Sequence, residues 1–471
     1  MPEGSRAAVT RLAAPPLVPA ARAAEDGGDA IAARAVERRA VEAMIWGMPA
    51  VNYDLMRQEM LDATDAEPNQ VIYWGRPLDW MNQTLTPNPD TLYLMTFFDT
   101  HDGPVVIEVP PADDAGSLNG NIVTAWQKPL EDVGLLGVDK GTGVRIAILP
   151  PGFDGTAPEG ITPVQSDTYG GFALLRANLR SHGPEDVAAS VAYGKRVGVY
   201  PLSEADDPPE TVFVDVQDVL FDSTIRYDST FFEHLNRVVQ EEPWIDRDRA
   251  MIDALATLGI VQGEPFKPDA ATRSTLDAAA VEAKAYLNHV LERGWGAYFD
   301  GTQWRAAAAP ALAKAAGEGF MTPDAYPVDL RGTIYTLGFV GIKRLGAGQF
   351  YLLALLDEDG APLDGAATYR LTVPPDVPVE QYWSATVYDR QTHALVRHMD
   401  RASRASNAAE LARNADGSVD IFFGPVAPEG RETNWVPTDP LRDFEVMFRL
   451  YAPTQALFDK TWTLPDIERV D

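Results

Sequence analysis

Two carboxylates, Asp79 and Asp90, sit where acid–base chemistry could be done. Asp79 belongs to VIYWGRPLDWMNQ (Val71–Gln83) and Asp90 to TPNPDTLYLMTFFDT (Thr86–Thr100). Paired carboxyls act as acid and base when unequal surroundings push their pKa values apart. A cofactor-independent hydrolase or lyase with Asp79 and Asp90 as catalytic residues is therefore one reading. The neighbouring residues point to another. Trp74 and Trp80 offer flat apolar faces, Arg76, Asn82 and Asn88 offer planar polar groups, and Tyr93 follows in the next apolar run. Such a set suits a small polar or saccharide-like ligand in a largely apolar cleft of the N-terminal β domain. Each feature also has a plainer explanation: tryptophans capping a core beneath a loop, and an Asn-Pro-Asp turn feeding a strand.

Other chemistries find no motif. There is no GxxxxGK[ST] phosphate loop, no GxGxxG after a strand and no GxSxG elbow. The stretch GLLGVDKGTG (134–143) is glycine-dense but wrongly spaced. Cysteine is absent, which removes thiol nucleophiles, disulfides and thiolate metal sites. The six histidines form neither HExxH nor HxH. DEDGAPLDG (357–365) is rich in oxygen ligands but lacks the terminal glutamate of an EF-hand, so it reads as a hairpin turn. No metal site and no cofactor is expected.

The elements that must hold these residues follow from the hydrophobic pattern. Residues 31–62 read as helical with a break at Gly47–Pro49, since proline cannot continue the ladder. In TPNPD the residues before proline, Thr86 and Asn88, should be extended, and Asp90 can bond a backbone amide downstream. The run after it is apolar on both faces, with Tyr93, Met95 and Phe97 on one side and Leu92, Leu94 and Phe98 on the other. That marks a central, buried strand. PVVIEVP, NIVTAW and GVRIAILP are further strands, with no helix expected between them. Helical spacing then runs through roughly 225–300 as three helices, and DLRGTIYTLGFVGIKRL (329–345) reads as one more. In the last third, TYRLTVP, SVDIFF and DFEVMFRLY alternate cleanly. The last of these should bury Phe444, Val446, Phe448 and Leu450 and turn Asp443, Glu445 and Arg449 to water.

The fold class expected is mainly β with α: two antiparallel β-sandwich or jelly-roll domains joined by a helical connector. Residues 1–30 form a disordered or targeting tail. Residues 31–222 form a helix plus β domain, 223–316 the connector and 317–471 the C-terminal sandwich. At 471 residues the chain exceeds one ordinary core. Its net charge of −30 argues against nucleic acid, which needs a basic surface to displace counterions. No apolar run is long enough for an integral membrane span. A cytoplasmic location is favoured, with export as the alternative because RLAAPPLVPAARAAEDGG loosely resembles a signal peptide. A small-molecule ligand is the partner expected, with homo-oligomer formation left open.

TPNPDTLYL…GPVVIEVP resembles the domain of unknown function 1254. YRLTVPPDVPVEQYWSATVYD, RNADGSVDIFF, NWVP and FRLYAP resemble the domain of unknown function 1214, which commonly follows it on one chain. The resemblance covers about 60–180 and 330–465. It implies a β-rich domain, a helical connector and a second β domain, but no reaction. Asn88, Pro89, Asp90, Thr91, Tyr93, Asn434 and Trp435 match the motifs, which adds Asn434 and Trp435 to the ligand-binding candidates. The chain departs from the pattern at Arg401-Ala402-Ser403, where a tyrosine is usual in the middle. It departs again at ADDAGSLNGNIVTAWQ, in place of a Tyr/Asn-rich stretch. A binding protein, a hydrolase or lyase, and a structural or assembly module are the three functions carried forward.

Overall fold

The computed structural model describes residues 28–320, 325–338, 343 and 348–470. The expected tail therefore lies outside the described residues up to 27. Helix α1 (Gly28–Ala63) comes first, buried from 43 to 56. The break expected at Gly47–Pro49 is not there, because the helix runs straight through Pro49. Proline leaves the Ile45 carbonyl without its helical donor, but the turn is buried on every side. Gly332 from a later helix packs onto that carbonyl, so closely that an added Cβ would lie 2.6 Å from it.

The strands of the N-terminal part are β1 (Val71–Tyr73), β2 (Asn82–Gln83), β3 (Leu92–Asp99), β4 (Val105–Val109), β5 (Leu118–Thr124) and β6 (Pro129–Gly134). They continue with β7 (Val144–Leu149), β8 (Thr162–Gln165), β9 (Gly170–Ala177), β10 (Gly198–Pro201), β11 (Phe213–Asp215) and β12 (Phe221–Asp222). Helix α2 (Pro184–Gly194) lies between β9 and β10, beyond the run of strands expected without helices. Then come α3 (Thr230–Glu241), α4 (Met251–Thr257) and α5 (Ala270–Arg293), the three helices expected. Strand β13 (Arg305–Ala306), α6 (Pro310–Gly317) and α7 (Val328–Leu337) lead to the last part. The remainder of the helix expected at 329–345 falls mostly outside the described residues. Strands β14 (Gln349–Ala354), β15 (Tyr369–Val373), β16 (Trp383–Asp389), β17 (Ser403–Ala405) and β18 (Val419–Gly424) follow. The chain ends with β19 (Trp435–Pro437), β20 (Phe444–Tyr451), the short α8 (Gln455–Phe458) and β21 (Glu468–Arg469).

About 25% of the chain is strand and about 28% helix, so it is mixed α/β rather than mainly β, with several sheets and no barrel. The sheet orders are β11-β1-β3-β9-β5-β6, β10-β4-β7-β8, β13-β14-β20-β16-β17 and β19-β18-β15-β21, with a small β12-β2 pair. Most pairings are antiparallel, as expected, but β1–β11, β2–β12, β7–β8 and β18–β19 are parallel.

Strand β3 shows how the layers stack. Leu92, Leu94 and Phe98 enter a core shared by the two larger N-terminal sheets, with Ile107 and Ile148 opposite. Tyr93, Met95 and Phe97 enter a second core formed with the helices. In the last part Phe444, Val446, Phe448 and Leu450 pack against Tyr369, Leu371, Ile421 and Phe423 of the facing sheet. The other face of β20 is not wet. Glu445 is 0% exposed and Arg449 2%, and Met447 belongs to the helical core. Alternation along β20 is real, but the polar face meets the rest of the protein instead of water. Among the described residues, no helix is long and apolar enough to cross a membrane.

Candidate functional site

The TPNPD stretch is a joint between the two halves of the chain. Asn88, not Asp90, makes the turn: its Oδ1 accepts the Asp90 N–H at 3.0 Å. Asn88 Nδ2 reaches across to the Tyr451 hydroxyl at 2.5 Å. Tyr388 donates to the Pro87 carbonyl at 2.6 Å. Thr86 is not extended but has φ +37°, a region that non-glycine residues seldom occupy. Tertiary bonds hold it there. Its N–H donates to the His393 carbonyl at 2.6 Å, its Oγ1 to the Leu337 carbonyl at 2.8 Å, and its own carbonyl accepts Arg449 Nη2 at 2.9 Å.

Behind this joint lies a cavity of about 550 Å³, within the range of small-molecule sites. Its walls come from both halves. Trp74, Leu78 and Met95 belong to the first, Met447 and Phe458 to the last, and Ala306–Ala308, Ala313, Ile334 and Leu337 to the segment between. Among this apolar surface stand a few polar side chains, chiefly Asn82, Asn88, Tyr93, Arg176, Tyr351 and Arg449. No aspartate or glutamate is among the described lining residues. Burial raises the pKa of Tyr351, Tyr388 and Tyr451, with Arg449 working against it in each case. These phenols are therefore neutral donors at ordinary pH.

The two sequence resemblances can be set against this geometry. A family model described as "Protein of unknown function (DUF1254)" matches residues 68–201, and "Protein of unknown function (DUF1214)" matches 348–455. The chain is a paired DUF1254–DUF1214 protein. No curated protein matches it. Its fold is similar to the crystal structure of the VPA0106 protein from Vibrio parahaemolyticus, at 18% identity and TM-score 0.57, covering 93% of this chain and 100% of that one. A putative uncharacterized protein from Burkholderia cenocepacia aligns at 12% identity and TM-score 0.41, covering 94% and 96%.

In this DUF1254–DUF1214 protein the cavity gathers four of the candidate residues: Trp74, Asn82, Asn88 and Tyr93. Trp74 is buried edge-on to Phe221, yet it still forms part of the wall. The other candidates stand elsewhere. Arg76 pairs with Asp79 at 3.2 Å and Asp218 at 3.0 Å, near the surface. Asp79 also accepts the Met81 N–H at 2.9 Å. Trp80 lies tilted against His398, 4.3 Å between ring centres. Asn434 is buried and fully engaged with backbone, donating to Ala412 and Asp420 carbonyls at 2.8 Å each. Trp435 donates to the Gly424 carbonyl at 2.9 Å.

Asp90 is buried beside the joint, outside the cavity lining. Its Oδ1 accepts the Ser403 hydroxyl at 3.1 Å and lies 3.8 Å from His182 Nε2. Asp79 and Asp90 thus have separate partners. Serine and histidine both meet the same carboxylate oxygen, and among the described residues no hydrogen bond joins Ser403 to His182, unlike the serine–histidine contact of a hydrolytic triad. The DUF1214 segment that departs from its pattern has structural work: Arg401 donates to the Glu432 and Trp435 carbonyls. Arg176, Tyr351 and Arg449 escaped the sequence reading. The one clue was the pair of charges, Glu445 and Arg449, on one face of an otherwise apolar strand.

Proposed function

We propose that this protein binds a small amphipathic molecule in the cavity between its two β-rich halves. The observation that carries the reading is the cavity itself, an apolar space of small-molecule size with a few convergent polar groups. Trp74, Asn82, Asn88 and Tyr93 would contact the ligand there. A saccharide fits less well than an amphipathic molecule, because its hydroxyls would meet a mostly apolar wall and be left unpaired. We take residues 31–222 and 317–471 as two domains, each with paired sheets on one core in a sandwich arrangement, and 223–316 as their connector. The hydrolase reading has less support, since Asp79 and Asp90 do not share a partner.

The test is thermal unfolding with a panel of aliphatic and aromatic acids, alcohols and sugars. A ligand bound only by the native state stabilises it by about 2.7 kcal/mol at a hundred times its Kd. At least one amphipathic compound should raise the melting temperature, and the sugars should not. A panel in which no amphipathic compound shifts the melting temperature overturns the reading.

A further inference from the structure

Two tyrosine–arginine pairs, one from each half of the chain, present themselves to the cavity in the same way. Tyr93 on β3 and Arg176 on β9 are direct cross-strand partners, and the guanidinium carbon lies 5.3 Å from the ring centre. Tyr351 on β14 and Arg449 on β20 are cross-strand partners too, again with 5.3 Å between guanidinium and ring. All four side chains line the cavity. Burial lifts the Tyr351 phenol above its ordinary pKa, and Arg176 and Arg449 pull it back, so both cations bear on one hydroxyl.

Neither cation has an anion among the described residues. Among the described residues no carboxylate forms an ion pair with Arg176 or Arg449, and the stretch joining Gly338 to Gly348 contains no acidic residue. Arg247 and Arg404, by contrast, meet Asp248 at 2.6 Å and Glu410 at 3.0 Å. Arg331 is also buried without an acid among the described residues, but it lies outside the cavity lining and bonds Tyr326 and the Trp126 carbonyl. Arg449 is 2% exposed and its Nε has no partner among the described residues. Its other nitrogens bond only neutral groups: Thr386 Oγ1, the Thr86 carbonyl and the Tyr388 hydroxyl. Burying a charge without a partner costs several kcal/mol. The Tyr93 oxygen accepts the Asn88 N–H at 3.0 Å, which leaves the phenol proton to donate.

Resting on the ligand-binding reading above, we propose that the ligand is an organic carboxylate with an apolar body. Its head lies between Arg176 and Arg449, and its body lies along Ala306–Ala308 and Leu337. A guanidinium offers a planar fork that matches a carboxylate. Both Arg449 Nη2 protons are taken by Thr86 and Tyr388, which leaves its Nε–H, beside the Arg176 fork, for a flat monoanion. A phosphate ester would bring more charge and more acceptor oxygens than one fork, one N–H and one phenol serve.

The experiment is calorimetric titration of the full chain at neutral pH with octanoate, octan-1-ol and octylamine, which share one apolar body. Octanoate should bind at least about tenfold more tightly than octanol, and octylamine not at all. Arg176→Met and Arg449→Met should each bring octanoate down to the octanol level and leave octanol binding unchanged. Arg449→Met removes bonds at the joint; should it fail to fold, Arg176→Met decides, since Arg176 makes no such contacts. Octanol or octylamine binding as tightly as octanoate, or octanoate binding unchanged by the variants, overturns the anion site while the ligand-binding reading stands. No binding by any of the three overturns both.

Discussion

Ala313→Leu separates a binding cavity from a loosely packed wall. Ala313 is half-buried on α6 and lines the cavity. Leucine adds three carbons, each worth about 0.8 kcal/mol when moved from water into an apolar space. The upper limit is therefore about 2.4 kcal/mol of stabilisation, and fixing the leucine rotamer takes back about 0.5–1 kcal/mol. If all 471 residues unfold together, an unfolding entropy of about 2.1 cal/mol/K per residue makes 1 kcal/mol equal to about 1 °C. Scanning calorimetry should then show the ligand-free melting temperature unchanged or raised by about 1–2 °C. The stabilisation by octanoate should shrink or vanish, because the added side chain occupies its space. A packed alanine supplies the contrast. Ala279 is 0% exposed on α5 in the helical core and does not line the cavity, so Ala279→Leu should cost about 1–3 kcal/mol. If Ala313→Leu destabilises as much as Ala279→Leu, there is no usable space beside α6. If it is neutral but the octanoate shift is intact, the ligand sits elsewhere.

Two further outcomes test the fold around the site. Burial pushes Glu242 up to about 7, although its oxygens accept the Tyr169 and Gly170 N–H groups at 2.6 and 2.8 Å. A carboxyl whose folded pKa lies above its unfolded value stabilises fully below the unfolded value, and loses that contribution as pH rises through the folded one. Stability should therefore fall between about pH 4.5 and 7, by at most about 3 kcal/mol. Glu242→Gln should flatten this part of the melting-temperature profile, and an unchanged slope would acquit Glu242. Gly332→Ala should lower stability by about 1–2 kcal/mol in denaturant unfolding, although alanine favours helix by up to about 1 kcal/mol. The new Cβ would meet the Ile45 carbonyl at 2.6 Å and its Cγ2 at 2.9 Å; a more stable variant would mean α1 and α7 are not so closely packed.

Local pattern was a good guide wherever a strand has one apolar and one wet face, or two apolar faces. β15 alternates buried and half-buried in the order expected, and β3 is buried on both sides. The three connector helices lie where their spacing put them. Pattern misled where tertiary contact replaced water. Glu445 and Arg449 read as solvent-facing because alternation tells which residues share a face, not what covers it. Pro49 read as a helix breaker because the rule describes a helix with nothing packed around it. β9, GGFALLRA, has little β-branched character and two leading glycines, so it offered no strand signal, yet it is a central strand between β3 and β5.

The same distinction explains why half the site could be read from the sequence. Trp74, Asn82, Asn88 and Tyr93 come from one continuous stretch, so their grouping survives in the linear order. Arg176, Tyr351 and Arg449 are brought in by strand register: Tyr93 opposite Arg176, Tyr351 opposite Arg449. Nothing local announces either pairing. The TPNPD stretch joins the two pairs: the Asn88 N–H meets Tyr93, and Thr86 is held at φ +37° with its carbonyl on Arg449 and its hydroxyl on Leu337. A threonine before proline would not adopt that conformation unaided, so the C-terminal half must be in place before TPNPD takes its final shape. The stretch that looked like punctuation before a strand is thus shaped by the half of the chain that also supplies Arg449 to the cavity.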